Sequence, residues 1–366
     1  MKSFFFNKNL LKKSLSVFVI MLLAGFAFAQ SKKSVDTKVI SMDKHGNLNL
    51  DITNSKFAAK GFAASDMVNV QIGSYKFVAP VVMDYSDVEN GEFLLRINGE
   101  EVSLAINMGN LAAVAGAEIG TPVNITLKDK KGYLITYQLK HLKKSEERKD
   151  YASDEIFANF REIKMGSIGA GKLYRSSTPV EDDNPRAPYA AALFEKNKIT
   201  AVVNLADSET KYLSWEETNP YCRDLYDNDK IMFLSMGASY STEEFPEKLK
   251  YALQFIADNP GCTYCIHAKE GKIRTGYVCA VIEALCGASI EEINADYMLT
   301  FENYYNLKKN KQQYDNLAKT IPDMFKFMNG GKNVNAKKLQ QTVRKYLTTK
   351  VGLTDAQLDQ IVNNLK

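Results

Sequence analysis

A chain of 366 residues has room for two domains, each with a core of its own. Lys and Arg number 47 against 43 Asp and Glu, but four of the lysines (Lys2, Lys8, Lys12, Lys13) fall in the first 29 residues, which hold no acid; beyond them the balance is 43 against 43. A composition ordinary for a globular protein and a near-neutral body argue against general binding of nucleic acid or membrane surfaces, so any affinity for anions must be local.

Residues 1–29 read as a signal peptide. The four lysines form a basic start, Leu15 to Phe28 is an apolar stretch, and Ala27-Phe28-Ala29 is a small-x-small cleavage site before Gln30. The apolar run is too short to span a membrane comfortably, and polar sequence follows at once. The expectation is an exported protein, periplasmic or extracellular after cleavage near Ala29, with no stable membrane anchor.

Residues 30–145 read as an all-β accessory domain. Period-2 and β-branched runs recur at Lys38–Met42, Asn47–Ile52, Met67–Ile72, Tyr75–Val82, Phe93–Ile97, Val102–Ile106, Val123–Leu127 and Tyr133–Leu139, with turn residues between them. That spacing predicts a sandwich or small barrel, with a hairpin at Asn98-Gly99. Asp84 and Asp87 are acids in a turn, which usually cap and solvate, with cation binding as the other option. The charge run from Lys140 to Asp150 reads as a solvated linker.

Residues 146–310 alternate strand and helix patterns, the mark of a mainly parallel sheet flanked by helices. Ile199–Leu205 is a continuous apolar run, as in a strand buried on both faces. A second such run, Tyr264 to His267, is followed by Ala268-Lys269-Glu270-Gly271-Lys272-Ile273-Arg274-Thr275-Gly276 and then by an apolar helix from Tyr277 to Cys286. A tight strand-to-helix loop gathers backbone N–H groups at the positive end of a helix dipole, so residues 268–274 form a ready anion site. Arg274 offers a planar fork to two phosphate oxygens, and Lys269 and Lys272 are expected to add charge at the rim. Residues 311–366 read as a helical segment closed by a helix from Asp355 to Leu365, with Thr354 and Gln357 as its capping box.

Five cysteines leave at least one unpaired. Cys279 and Cys286 read as small core residues, as do Cys262 and Cys265, which lie an odd step apart on a strand and lack a second Cys/His pair for zinc. No metal or cofactor is expected.

The run His267, Gly271, Lys272, Arg274, Thr275, Gly276 resembles the cysteine-dependent phosphatase signature, His-Cys-x5-Arg-[Ser/Thr]-Gly, of bacterial tyrosine and dual-specificity phosphatases. Asn159-Phe160-Arg161 and Leu173-Tyr174-Arg175-Ser176-Ser177 resemble the entry segment of the same family. The resemblance implies that a cysteine thiolate attacks phosphorus from the position held here by Ala268. It also implies that His267 orients the loop, that Thr275 bonds the sulfur, that Asp207 is the acid near the leaving group, and that Arg161 or Arg175 neutralises a second acidic group unless it is salt-bridged. Asp207 is equally placed to cap a helix. Ala268 has no nucleophile, and Ile273 stands where these phosphatases usually carry Asp. Two departures favour a natural pseudophosphatase that binds phospho-ligands over a Cys→Ala form of an active enzyme. An active tyrosine, dual-specificity or phosphoinositide-type phosphatase and a purely structural module are the alternatives. The partners implied are a phosphorylated protein, a phosphoinositide or an inositol phosphate, and no nucleic acid. More weakly, Gly46-Asn47, Asp84-Tyr85-Ser86-Asp87-Val88 and Ala105 to Asn110 resemble the C-terminal β-domain of adenosylmethionine hydroxide/halide enzymes, without importing an active site.

Overall fold

A computed structural model describes residues 33–215 and 219–366, and the expected signal peptide lies outside the described residues. The chain divides into two compact units between Tyr137 and Gln138.

The first unit is a closed barrel. Its strands are β1 (Ser34–Met42), β2 (Leu48–Leu50), β3 (Met67–Ile72), β4 (Tyr75–Val82), β5 (Phe93–Asn98), β6 (Glu101–Ile106) and β7 (Pro122–Asp129), in the order β1-β2-β6-β5-β4-β3-β7. Alternation drives the closure: along β3, Val68, Val70 and Ile72 point inward to meet Val39, Leu48 and Leu104, while Asn69 faces solvent. Each buried aliphatic side chain contributes about 1.5–3 kcal/mol relative to its exposed state. Every strand pair is antiparallel except β4 and β5. Asp84 caps the turn at residues 85–87 by accepting from Ser86, and the buried Asp87 accepts from the amides of Met83 and Asp84, so both acids serve the backbone.

The expected strand at Tyr133–Leu139 is instead a helix, Leu134–Lys140. β7 already pairs with both β1 and β3, so the barrel offers no edge to an eighth strand. Tyr133 and Tyr137, one helical turn apart, reach Asp87 O and Met83 Sδ.

The second unit holds a five-stranded sheet of β8 (Arg161–Ile163), β9 (Leu173–Ser176), β10 (Ala201–Asn204), β11 (Ile231–Phe233) and β12 (Tyr264–His267), ordered β11-β10-β12-β9-β8. β9, β10, β11 and β12 run parallel and β8 is antiparallel at one edge. All four residues of β10 and of β12 are buried, so neither face of the central sheet meets solvent. The Ile273–Leu285 helix is buried around nearly its whole circumference, which explains its lack of amphipathic pattern. It packs against the helices Ile290–Leu299, Thr320–Met328 and Leu339–Tyr346. The last helix, Asp355–Asn364, lies on Phe245–Asp258, where Asn364 Nδ2 donates to Ile256 O at 2.8 Å and to Ala257 O at 3.1 Å.

The stretch Lys140–Asp150 is largely exposed, but it is fastened to this second unit at Ser145 and Glu146. Arg186, 1 % exposed, stacks its guanidinium on Phe157 and Tyr304 and donates to Ser145 O and Phe157 O, and Glu146 completes its charge. A buried guanidinium needs such acceptors, and the charge run supplies them. Among the described residues no helix is long and apolar enough to cross a membrane.

Candidate functional site

β12 delivers His267 to the carboxyl edge of the sheet, and the chain turns through Ala268–Lys272 into the Ile273–Leu285 helix. The turn closes by Gly271 N–H donating to Ala268 O at 3.2 Å. The next carbonyls are all tied to neighbouring segments. Lys269 O accepts from Thr178 N at 3.3 Å. Glu270 O accepts from Asn159 Nδ2 at 2.8 Å. Gly271 O accepts from Arg175 Nη2 at 2.9 Å and from Asn159 Nδ2 at 3.2 Å. A trans peptide points its N–H opposite its C=O, so the amides of Glu270, Gly271 and Lys272 face the inner side of the loop; Gly271 N–H is taken there by Ala268 O, and Glu270 and Lys272 supply the loop's donors. Together with the helix N-terminus they make a cradle of donors suited to an oxyanion.

Two glycines are required by this geometry. Gly271 has φ +64°, and a Cβ on it would lie 2.2 Å from Ser176 O; a Cβ on Gly276 would lie 2.5 Å from the Tyr297 ring.

Arg274 is half-buried in the first turn of the helix, and its Nη1 donates to Met236 O at 3.2 Å. Ala268, at the start of the loop, is buried at 3 % exposure. Thr275 is fully buried, and its Oγ1 has no hydrogen-bond partner among the described residues. His267 is buried against Phe194, with ring centroids 6.2 Å apart. Burial pushes its pKa down to about 4, and Arg274 adds to this while the nearby Asp207 carboxylate opposes it, so the imidazole is neutral.

Asp207 follows β10 and is buried. It is not the cap of the next helix, since Ser208 takes that place by accepting from Lys211 N at 3.1 Å. Its carboxylate pairs instead with Lys211 Nζ at 3.0 Å. Asn204, in register with His267 on the neighbouring strand, accepts from the amides of Ala206 and Asp207 and so shapes this turn.

One of the two lysines departs from expectation. Lys272 does not reach the rim. Its ammonium is buried, donates to Leu139 O at 3.0 Å, pairs with Glu270 Oε2 at 3.1 Å and lies 4.8 Å from the centre of the Tyr305 ring. Glu270 is gathered into the same cluster by Tyr305 OH at 2.7 Å and Lys144 at 3.7 Å. Burial pushes its carboxyl up, but Lys272, Tyr305 and Lys144 outweigh it and hold the pKa below the usual carboxylate range. Lys269 stays exposed but pairs with Glu181 at 3.1 Å. Ile273 is the first, half-buried residue of the helix.

Arg161 and Arg175 are likewise committed to the protein. Asp296 receives Arg161 Nε at 2.6 Å and Arg175 Nη1 at 2.5 Å, in a triad with Arg175 and Asp296 almost wholly buried. Burial pushes the Asp296 carboxyl up, but the two guanidiniums outweigh it and keep the group ionised. Both arginines are thus salt-bridged within the protein, the alternative to neutralising a second acidic group on a ligand. Asp296 escaped sequence reasoning because it is one polar residue inside an ordinary helix. Its signal, two arginines in separate segments in need of a buried acid, needs the fold to be seen. Tyr305 holds Glu270 through its hydroxyl.

All five cysteines are free. Cys265 is wholly buried in β12, and burial raises its thiol well above the ordinary value, so it is no substitute nucleophile.

Comparison with known proteins bears on both units. The model of the SAM hydroxide adenosyltransferase C-terminal domain matches residues 37–124. Among solved structures, an uncharacterized conserved protein from Thermotoga maritima is 26% identical over 26% of this chain and 36% of its own, with a TM-score of 0.25. A conserved hypothetical protein from Thermus thermophilus is 20% identical over 25% of this chain and 34% of its own, with a TM-score of 0.19. Each of these is thus matched over about a third of its own length. The core catalytic domain of the PP-IP phosphatase SIW14 from S. cerevisiae, in complex with citrate, is 20% identical over 44% of this chain and 90% of its own, with a TM-score of 0.26. The comparison with curated proteins returns no match. The tyrosine phosphatase family model matches residues 157–366, more than half of the chain and all of the loop just described, and the chain belongs to that family.

Proposed function

We propose that this is an exported phosphate-binding member of the family that holds phosphomonoester ligands without hydrolysing them. The observation that carries the reading is the pairing of an intact cradle with an alanine at the nucleophile's place. The loop amides, Gly271 and Arg274 are disposed to grip an oxyanion, while Ala268 offers no lone pair to phosphorus. A thiolate at position 268 would repel a phosphate dianion, so alanine favours the bound ground state. The ligand is a phosphate carried on a protein, a phosphoinositide or an inositol phosphate. Export rests on the basic and apolar start of the chain and its small-x-small site.

A second reading is a Cys→Ala form of an active phosphatase. The buried Thr275 hydroxyl, without a partner among the described residues, favours it, because a sulfur at position 268 is what that hydroxyl meets in the family.

Steady-state hydrolysis of an aryl phosphate and a phosphotyrosine peptide tests the proposal. The unsubstituted protein is expected to turn over neither. Turnover that disappears on Arg274→Ala would overturn the proposal.

A further inference from the structure

We infer that Asn159, remote from the loop in sequence, is the positioning residue that turns the phosphate loop's amides inward; this deepens the reading of the same site as an anion cradle. Asn159 sits in the left-handed region at φ +48°, where Asn is tolerated better than most side chains, and is 5 % exposed. Its carboxamide is used at both ends. Nδ2 donates to Glu270 O at 2.8 Å and Gly271 O at 3.2 Å. Oδ1 accepts from Arg161 Nη1 at 3.0 Å and from Thr300 Oγ1 at 3.2 Å.

This polarity is what matters. Two carbonyls in succession are drawn outward by a single NH2 group, so the amides paired with them face the other way, Gly271 N–H onto Ala268 O and Lys272 N–H toward the inner side of the loop. Arg161, fixed by Asp296, and Thr300 in turn decide which end of the carboxamide points at the loop, since both are donors and demand the oxygen. Arg175 can hold Gly271 O alone, but among the described residues only Asn159 holds Glu270 O.

The discriminating substitution is Asn159→Asp. Aspartate tolerates the left-handed backbone and still accepts from Arg161 and Thr300, but donates nothing to the loop. Two measurements follow. Amide hydrogen exchange in the ligand-free protein is expected to speed up at the loop amides, by about tenfold or more at Gly271, whose N–H is held by Ala268 O, with little change in the sheet, as befits loss of the hydrogen bonds that hold the loop's carbonyls. Tungstate affinity by calorimetry is expected to fall about tenfold while the thermal midpoint stays near that of the parent. Asn159→Gly, which keeps the backbone conformation and removes the side chain, is expected to loosen the same amides and serves if the aspartate variant does not fold. Loop exchange unchanged in the variant that folds would overturn the inference. So would anion affinity within twofold of the parent. If the parent itself binds no anion, the proposed function fails, and the exchange measurement decides on Asn159 by itself.

Discussion

Gly271 and Ser176 are so close that a single added carbon on the glycine would stand 2.2 Å from the serine's carbonyl oxygen. The end of β9 is therefore the floor against which the phosphate loop is pressed, and the loop adopts φ +64° to fit there. Gly271→Ala is expected to destabilise the protein by at least about 1–2 kcal/mol from the left-handed backbone alone, with the clash adding to this, and to abolish anion binding. Thermal unfolding and a tungstate titration of the variant check both parts.

Lys272 leads to the opposite expectation. Its charge is met by Glu270, so it has little to offer a ligand. Lys272→Met is expected to reduce stability by about 1–3 kcal/mol, because the half-buried Glu270 loses its buried partner, and to leave anion affinity within about twofold. Lys272→Met combined with Glu270→Gln is expected to be less destabilising than the sum of the two changes, and a double-mutant cycle reads that coupling. A large loss of affinity in the single variant would restore Lys272 to the ligand's side.

Two buried groups set opposing pH dependences. His267 is neutral when folded, with its pKa pushed down to about 4, but an unfolded imidazole takes a proton below about 6.5. Between those values the unfolded state binds more protons, so stability falls as the pH drops through this window, by about 3 kcal/mol in all. His267→Gln is expected to flatten that slope. Glu283 is wholly buried with both carboxyl oxygens unpartnered among the described residues, and burial, then the charge of Asp296, raises its pKa well above the usual value. It is protonated when folded and ionised when unfolded, so it makes stability fall as the pH rises above about 4.3. Glu283→Gln is expected to raise the thermal midpoint at neutral pH and to remove this second slope. Denaturation curves from pH 4 to 8 on the parent and both variants separate the two.

The nucleophile can be put back. Ala268→Cys places a thiol at a helix N-terminus near Arg274, conditions that lower a cysteine pKa. The hydroxyl of Thr275, which has no partner among the described residues, is the group expected to meet the sulfur. Hydrolysis of an aryl phosphate, with its good leaving group, is expected from this change alone. An alkyl phosphate needs a proton donor, and Asp207 is tied to Lys211, so Ile273→Asp is expected to be needed as well. Equal activity of the single and double variants on both substrates would show that Ile273 costs nothing.

What the sequence made legible follows from how local each signal is. Strands β3 and β4 begin and end where alternation and turn residues place them, because side-chain period and turn chemistry are properties of neighbouring residues. The phosphate loop is legible for the same reason, with strand, glycines, arginine and helix all lying within one stretch. The Tyr133–Leu139 segment misleads because its apolar spacing suits a strand as well as a helix, and only barrel closure decides between them. Lys272 misleads because a lysine beside an anion loop looks like a ligand group until Leu139 O and Glu270 are found around it. Asn159, Asp296 and Arg186 do their work across more than a hundred residues or inside buried networks, and no local pattern marks such partnerships.

The loop at residues 268–274 is proposed to bind phosphate through Arg274 and its amides although it cannot attack it. Calorimetric titration of the unsubstituted protein with tungstate, alongside Arg274→Ala, tests this most directly. One site per chain is expected in the parent, with a loss of at least about a hundredfold in the variant, as when a charged bidentate donor is removed from a partly buried anion site. Equal affinity in the two proteins would place the anion elsewhere and contradict the account.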